Sequence, residues 1–124
     1  DGTVCFSPHE NPDFVSHTML ARPATKSRSI TVPVKRVSTI MKELGHERID
    51  ILKMDVEGAE YDIINDIAVS GIRPRQFLVE FHHRFPGVGL KKTKEAIAKL
   101  QAMGYGLFSV SDMNKEFCFA LVSN

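Results

Sequence analysis

Ile49-Asp50-Ile51-Leu52-Lys53-Met54-Asp55-Val56-Glu57-Gly58-Ala59-Glu60-Tyr61 is the stretch that sets the fold of this chain. A short apolar run ends at Asp55, the chain turns at Gly58, and a helical pattern follows. That is the outline of a strand delivering carboxylates to the edge of a sheet, with a helix behind it. With a strand period of two, Ile51, Lys53 and Asp55 share one face, while Leu52 and Met54 share the other.

Working outward, Ile30-Thr31-Val32-Pro33-Val34 is β-branched and alternating, and Pro33 places it at a strand end or a sheet edge. Over residues 36–44, Val37, Ile40, Met41 and Leu44 form the stripe of an amphipathic helix, with Gly45 where a left-handed cap is expected. Downstream of Gly58, Ile63, Ile64 and Ile67 mark a second helix, closed by Gly71 and kept closed by Pro74. Residues 76–81 carry Phe77, Leu78, Val79 and Phe81, the near-continuous run of a strand covered on both faces. A loop with Pro86, Gly87 and Gly89 leads to a third helix over 91–103, with Ala96, Ile97, Leu100 and Met103 inward and Gly104 as its stop. Strands over 105–110 and 116–122 follow, and their short connection makes them an antiparallel pair. Residues 1–29 lack periodicity and read as a loop-rich segment with one short strand at its start. Strands alternating with helices predict an α/β fold with an open sheet, made mixed by the closing antiparallel hairpin.

The chain has 124 residues, enough for one domain but small for a complete cofactor-dependent enzyme. Its net charge is +1 with acids and bases interspersed, so no footprint for nucleic acid or an anionic membrane is present. No apolar run approaches the ~20 residues of a membrane-spanning helix. Asp1-Gly2-Thr3-Val4-Cys5-Phe6 has neither an initiating Met nor signal-peptide character and reads as the interior of a longer chain. Localisation is left at a cytoplasmic expectation. Cys5 and Cys118 stand in no metal or redox spacing, so free thiols in a reducing compartment are expected.

In an open α/β sheet, ligands bind outside the carboxyl ends of the strands. Two strands here end in residues that a core would not choose, Lys53-Met54-Asp55 and Glu80-Phe81-His82. Glu80 and His82 share a face, so parallel pairing of the two strands brings carboxylates and imidazole together. Asp55, Glu57 and His82 are the candidate catalytic residues. Asp55, Glu57 and Glu80 are a candidate metal set, with Asp55, Glu80 and His82 as a variant of it. Each also has a structural reading: Asp55 as a helix cap or an ion-pair partner of Lys53, Glu57 and Glu60 as acids at the positive end of a helix. His9, Glu10, Asp13 and His17 match no ligand spacing and read as a solvated loop. Asp-Val-Glu-Gly lacks the remaining ligands of a calcium loop.

The run from Ile51 to Tyr61 resembles the signature of the FkbM-type S-adenosylmethionine-dependent methyltransferases. The likeness extends through Val32-Pro33-Val34 and Val37 before it and through Phe77 to His82 and Gly104-Tyr105 after it, covering residues 30–124. The resemblance implies a Rossmann-like class I methyltransferase fold, of which this chain is the C-terminal portion and a single partial domain over 1–124. The Asp55 strand becomes the fourth of seven, and the last strand inserts antiparallel. It further implies S-adenosylmethionine as cofactor, with Asp55 facing it, and a small-molecule acceptor such as a sugar hydroxyl. A divalent metal is the alternative way of activating that hydroxyl. No Gly-x-Gly-x-Gly-like loop follows a strand in this chain, so the main cofactor-binding loop is expected upstream. The loops 9–25 and 84–90 are expected to shape the acceptor site. Sheet edges left open would favour self-association. A methyltransferase-like domain that serves interaction rather than catalysis is the competing expectation.

Overall fold

The computed structural model describes residues 1–122, so the last two positions of the expected domain lie outside the described residues. In chain order the elements are β1 (Gly2–Pro8), β2 (His17–Thr18), a 3-10 turn (Pro23–Arg28), β3 (Ile30–Val34), α1 (Val37–Leu44), β4 (Ile51–Met54), α2 (Glu60–Ser70), β5 (Gln76–Glu80), α3 (Gly89–Ala102), β6 (Tyr105–Val110) and β7 (Glu116–Leu121). Gly45 and Gly71 sit just past α1 and α2 in the left-handed conformation, where the sequence places them.

The mixed sheet has the order β4-β5-β7-β6. Strands β4 and β5 run parallel in a register that sets Met54 beside Val79, so the next residues, Asp55 and Glu80, leave the sheet side by side. The hairpin is antiparallel, and β7 rather than β6 lies next to β5. Phe77, Phe81, Phe119, Ile64, Ile67 and Leu100 are fully buried between this sheet and the helices. Phe77 meets Tyr105 edge-on at 5.0 Å, and Phe81 meets Phe117 at 5.3 Å. The Tyr105 hydroxyl donates to the Pro74 carbonyl at 2.5 Å. Burial pushes that phenol up to about 12, against a smaller opposing pull from Arg73, so it stays a donor. Tyr61 and Thr93 share a hydroxyl hydrogen bond of 3.0 Å that ties α2 to α3.

The N-terminal segment holds the strand expected at its start, but is more ordered than the loop-rich reading of 1–29, with a second strand and a 3-10 turn. β1 is seven residues long and pairs antiparallel with β3, from Gly2 beside Val34 to Phe6 beside Ile30. With β2 these strands form a separate sheet of order β2-β1-β3, so β3 does not join the main sheet. Pro33 is accordingly on an edge strand, where its missing N–H costs no ladder bond. The Asp1 carboxylate accepts from the Arg36 N–H and the Thr39 hydroxyl, both at 2.7 Å. It thereby caps α1 from outside the helix, which has no side-chain cap of its own.

The expected α1 helix forms, and Val37 of its stripe packs against the core, but no α1 residue is fully buried, and Ile40 and Leu44 are 42% and 62% exposed. Lys53 is exposed and makes no ion pair with Asp55, because the outer face of β4 is uncovered. Cys5 and Cys118 are free thiols. Among the described residues no helix is long and apolar enough to cross a membrane.

Candidate functional site

The turn between β4 and α2 is built on two positive backbone angles, Glu57 at φ 51° and Gly58 at φ 104°. The first is unusual for a side chain with a Cβ and needs support from outside the turn. That support comes from β2 and the residues after it. The Thr18 hydroxyl donates to the Glu57 carbonyl and accepts from the Leu20 N–H. Thr18 is buried and both capacities of its hydroxyl are used.

The Leu20 side chain closes over Gly58, where an added Cβ would stand 2.7 Å from Leu20 Cδ1. Gly58→Ala should therefore lose stability twice over. A positive-φ alanine costs about 1–3 kcal/mol, and the Leu20 clash adds to it. Denaturant unfolding of Gly58→Ala with and without Leu20→Ala separates the two parts. The double variant should lose less than the sum of the singles, because the clash is then absent.

The second wall of the site comes from the end of β5. Phe81 points inward and stacks on Tyr61 at 5.6 Å, holding the first turn of α2 against the end of β5. His82 then faces the β4–α2 turn. Its Nδ1–H donates to Glu60 Oε1 at 2.5 Å, and the Gly58 N–H donates to the same oxygen at 3.1 Å. Glu60 is completely buried, and among the described residues its other oxygen has no hydrogen-bond partner. On the far side of the ring, His82 Nε2 lies 3.7 Å from Asp55 Oδ1, 3.9 Å from Glu57 Oε2 and 4.0 Å from Glu80 Oε1. Asp55 is the open member of the group, with 44% of its side chain exposed against 10% for His82.

Burial of the imidazole works against its charge. The hydrogen bond to Glu60 and the charges of Glu60, Glu57 and Glu80 outweigh that, and the His82 pKa is raised above the ordinary value. Among the described residues, no Lys or Arg pairs with Asp55, Glu57, Glu60 or Glu80. Among the described residues, His82 is thus the basic side chain that all four carboxylates face.

The structure brings together Asp55, Glu57, Glu80 and His82, all expected from the sequence. It adds Glu60, whose place in a first helical turn makes it look like an ordinary dipole-complementing acid. The Asp55 cap reading does not hold, because Ala59 is the N-cap of α2 and no side chain caps it. His9 and His17 are engaged locally, with the Asn11 N–H and the Val15 carbonyl. Asp55 and Glu57 open onto a cleft of about 680 Å³ between the N-terminal sheet, α1, β4 and α2, lined by Phe6, Met19, Val37, Ile40 and Leu52 among others. On the other flank, Phe85 packs on His82 at 4.8 Å, and the Arg22 guanidinium lies 5.8 Å from the Phe85 ring centre. The loops expected to shape an acceptor site meet at that pair.

Residues 2–107 match the methyltransferase FkbM domain, and the chain belongs to that family. The match begins in β1, well before residue 30 where the signature likeness starts. The probable methyltransferase-like protein 24 of Homo sapiens is 24% identical over 108 residues, covering 78% of this chain and 30% of that protein. Its Rattus norvegicus counterpart is 24% identical over 79 residues, covering 62% and 22%. The AMB antimetabolite synthetase AmbE of Pseudomonas aeruginosa is 39% identical over 57 residues, covering 44% of this chain and 3% of that protein. The chain spans less than a third of the length of each of these relatives. No solved structure matches it.

Proposed function

We propose that the chain is the C-terminal part of a Rossmann-like class I methyltransferase that uses S-adenosylmethionine to methylate a hydroxyl of a sugar or small metabolite. The observation that carries this reading is the meeting of Asp55 and His82 at the carboxyl ends of two parallel strands, beside an apolar cleft. Ligands of open α/β sheets bind at that place. The antiparallel insertion of β7 between β5 and β6 supports the class I assignment.

The residues present fit one wall of a cofactor site. S-adenosylmethionine supplies a methyl group from a positively charged sulfonium. Asp55 and Glu57, carboxylates with no Lys or Arg paired to them among the described residues, suit such a charge at the mouth of the cleft. The uncovered outer edge of β4, with Ile51 61% exposed, and the exposed α1 stripe match a domain whose other half supplies the glycine-rich loop. Removing the proton of the acceptor hydroxyl falls to the Asp55–His82 cluster. Arg22 and Phe85 stand where an acceptor would be gripped.

The test is titration of S-adenosylmethionine into the whole protein, with release of S-adenosylhomocysteine followed over a panel of sugar and small-metabolite hydroxyls. Binding with acceptor-dependent release is expected. A folded protein that binds no cofactor would overturn the reading in favour of a non-catalytic interaction domain.

A further inference from the structure

We propose that Asp55, Glu57 and His82 form a binding site for a divalent metal ion, with Glu60 as the buried residue that positions His82. The site stands on geometry alone; its role in the reaction rests on the methyl-transfer reading above. One ligand atom from each of the three side chains lies within 4.8 Å of the others, and two of the separations are 3.7 and 3.9 Å. Ligands held at about 2.0–2.2 Å from one ion stand roughly 3–4 Å apart, so small side-chain rotations close the set.

The independent observation is the imidazole itself. The His82 side chain is nine-tenths buried, and among the described residues Nε2 has no hydrogen bond, since all three facing carboxylates lie beyond hydrogen-bond distance. Its Nδ1–H is spent on Glu60, which leaves Nε2 as the nitrogen that faces Asp55 and Glu57. A carboxylate behind a histidine, fixing its tautomer and orientation, is the usual support of a metal-ligating imidazole. The charge balance agrees: four carboxylates surround one imidazole, and none has a Lys or Arg partner among the described residues. The exposure of Asp55 gives an entry path and leaves coordination positions open.

Two carboxylate oxygens and one imidazole nitrogen suit Mn²⁺, Fe²⁺ or Zn²⁺ rather than Ca²⁺, which takes 6–8 oxygen ligands. A substrate hydroxyl on an open position of such an ion loses its proton more readily, which is what methyl transfer to oxygen needs. Under this assignment Asp55 and His82 act through the ion rather than as bases themselves.

The whole protein, stripped with a chelator, is titrated with Mn²⁺ and separately with Zn²⁺. Free Mn²⁺ is read by electron paramagnetic resonance, and binding of both ions by calorimetry. One equivalent per chain should bind, and the thermal midpoint should rise with metal concentration. Glu57→Gln and His82→Gln should each weaken binding at least about tenfold, and Glu60→Gln about 10–100-fold through the loosened imidazole. Should His82→Gln fail to fold, Glu57→Gln on the partly exposed turn carries the test. Failure of the folded protein to bind either ion, or unchanged affinity in Glu57→Gln, overturns the site. If that comes with undiminished methyl transfer by chelated protein, the methyltransferase reading survives its loss. Metal binding without cofactor binding supports the site and overturns that reading.

Discussion

Asp55→Asn should lower methyl transfer by the whole protein about 10²–10⁴-fold while leaving its stability close to wild type. The two halves of that expectation come from different facts. Asp55 caps no helix, accepts no hydrogen bond among the described residues and is nearly half exposed, so the amide loses little that the fold uses. Surface substitutions of this kind usually fall within about 0.5 kcal/mol. The charge is another matter. Asparagine keeps the shape and removes the carboxylate that faces both the cleft and His82 Nε2, and with it either a base or an anionic metal ligand. Single-turnover transfer of labelled methyl, read beside a thermal melt, separates the effects. Turnover equal to wild type in a well-folded variant would remove Asp55 from the chemistry altogether.

The part of this site that the sequence discloses is the part built from local patterns. The run from Ile51 to Met54 alternates, and Asp55 follows it in phase. The same arithmetic puts Glu80 and His82 on one side of the next strand, with Phe81 turned inward. Parallel pairing of the two strands then does the rest. Gly45, Gly71 and the short link between β6 and β7 are equally local signals.

What stays hidden depends on partners distant in the chain. β1 is matched to β3 by a pairing that spans more than twenty residues, and nothing in Thr3-Val4-Cys5-Phe6 names its partner. Thr18 and Leu20 look like loop residues until the Glu57 and Gly58 angles need them. An apolar stripe such as that of α1 says that something should cover it, not that the cover is in the same 124 residues. Glu60 is the sharpest case. An acid in a first helical turn has a sufficient explanation in the helix dipole, which removes any reason to look for His82.

Glu60 also carries the largest expected effect on stability, and the pattern across substitutions tells why the residue is there. Glu60→Ala takes the acceptor away from both the His82 Nδ1–H and the Gly58 N–H, and leaves a nine-tenths-buried imidazole among the remaining carboxylates. Breaking a buried charged pair from one side costs about 3–5 kcal/mol. Glu60→Gln keeps one acceptor oxygen and sets an amide N–H₂ where Oε2 has no partner, so about 1–3 kcal/mol is expected. Replacing both members, Glu60→Met with His82→Leu, removes the buried polar groups together and should recover most of what Glu60→Ala loses. Urea unfolding of the four proteins should therefore rank wild type above Glu60→Gln and Glu60→Ala lowest, with the double variant well above the alanine. The same double variant should bind no metal and transfer no methyl. A Glu60→Ala protein as stable as wild type would show that the pair is not held together as described. Recovery of stability with loss of chemistry, by contrast, identifies the buried Glu60–His82 pair as a feature the fold does not need and the reaction does.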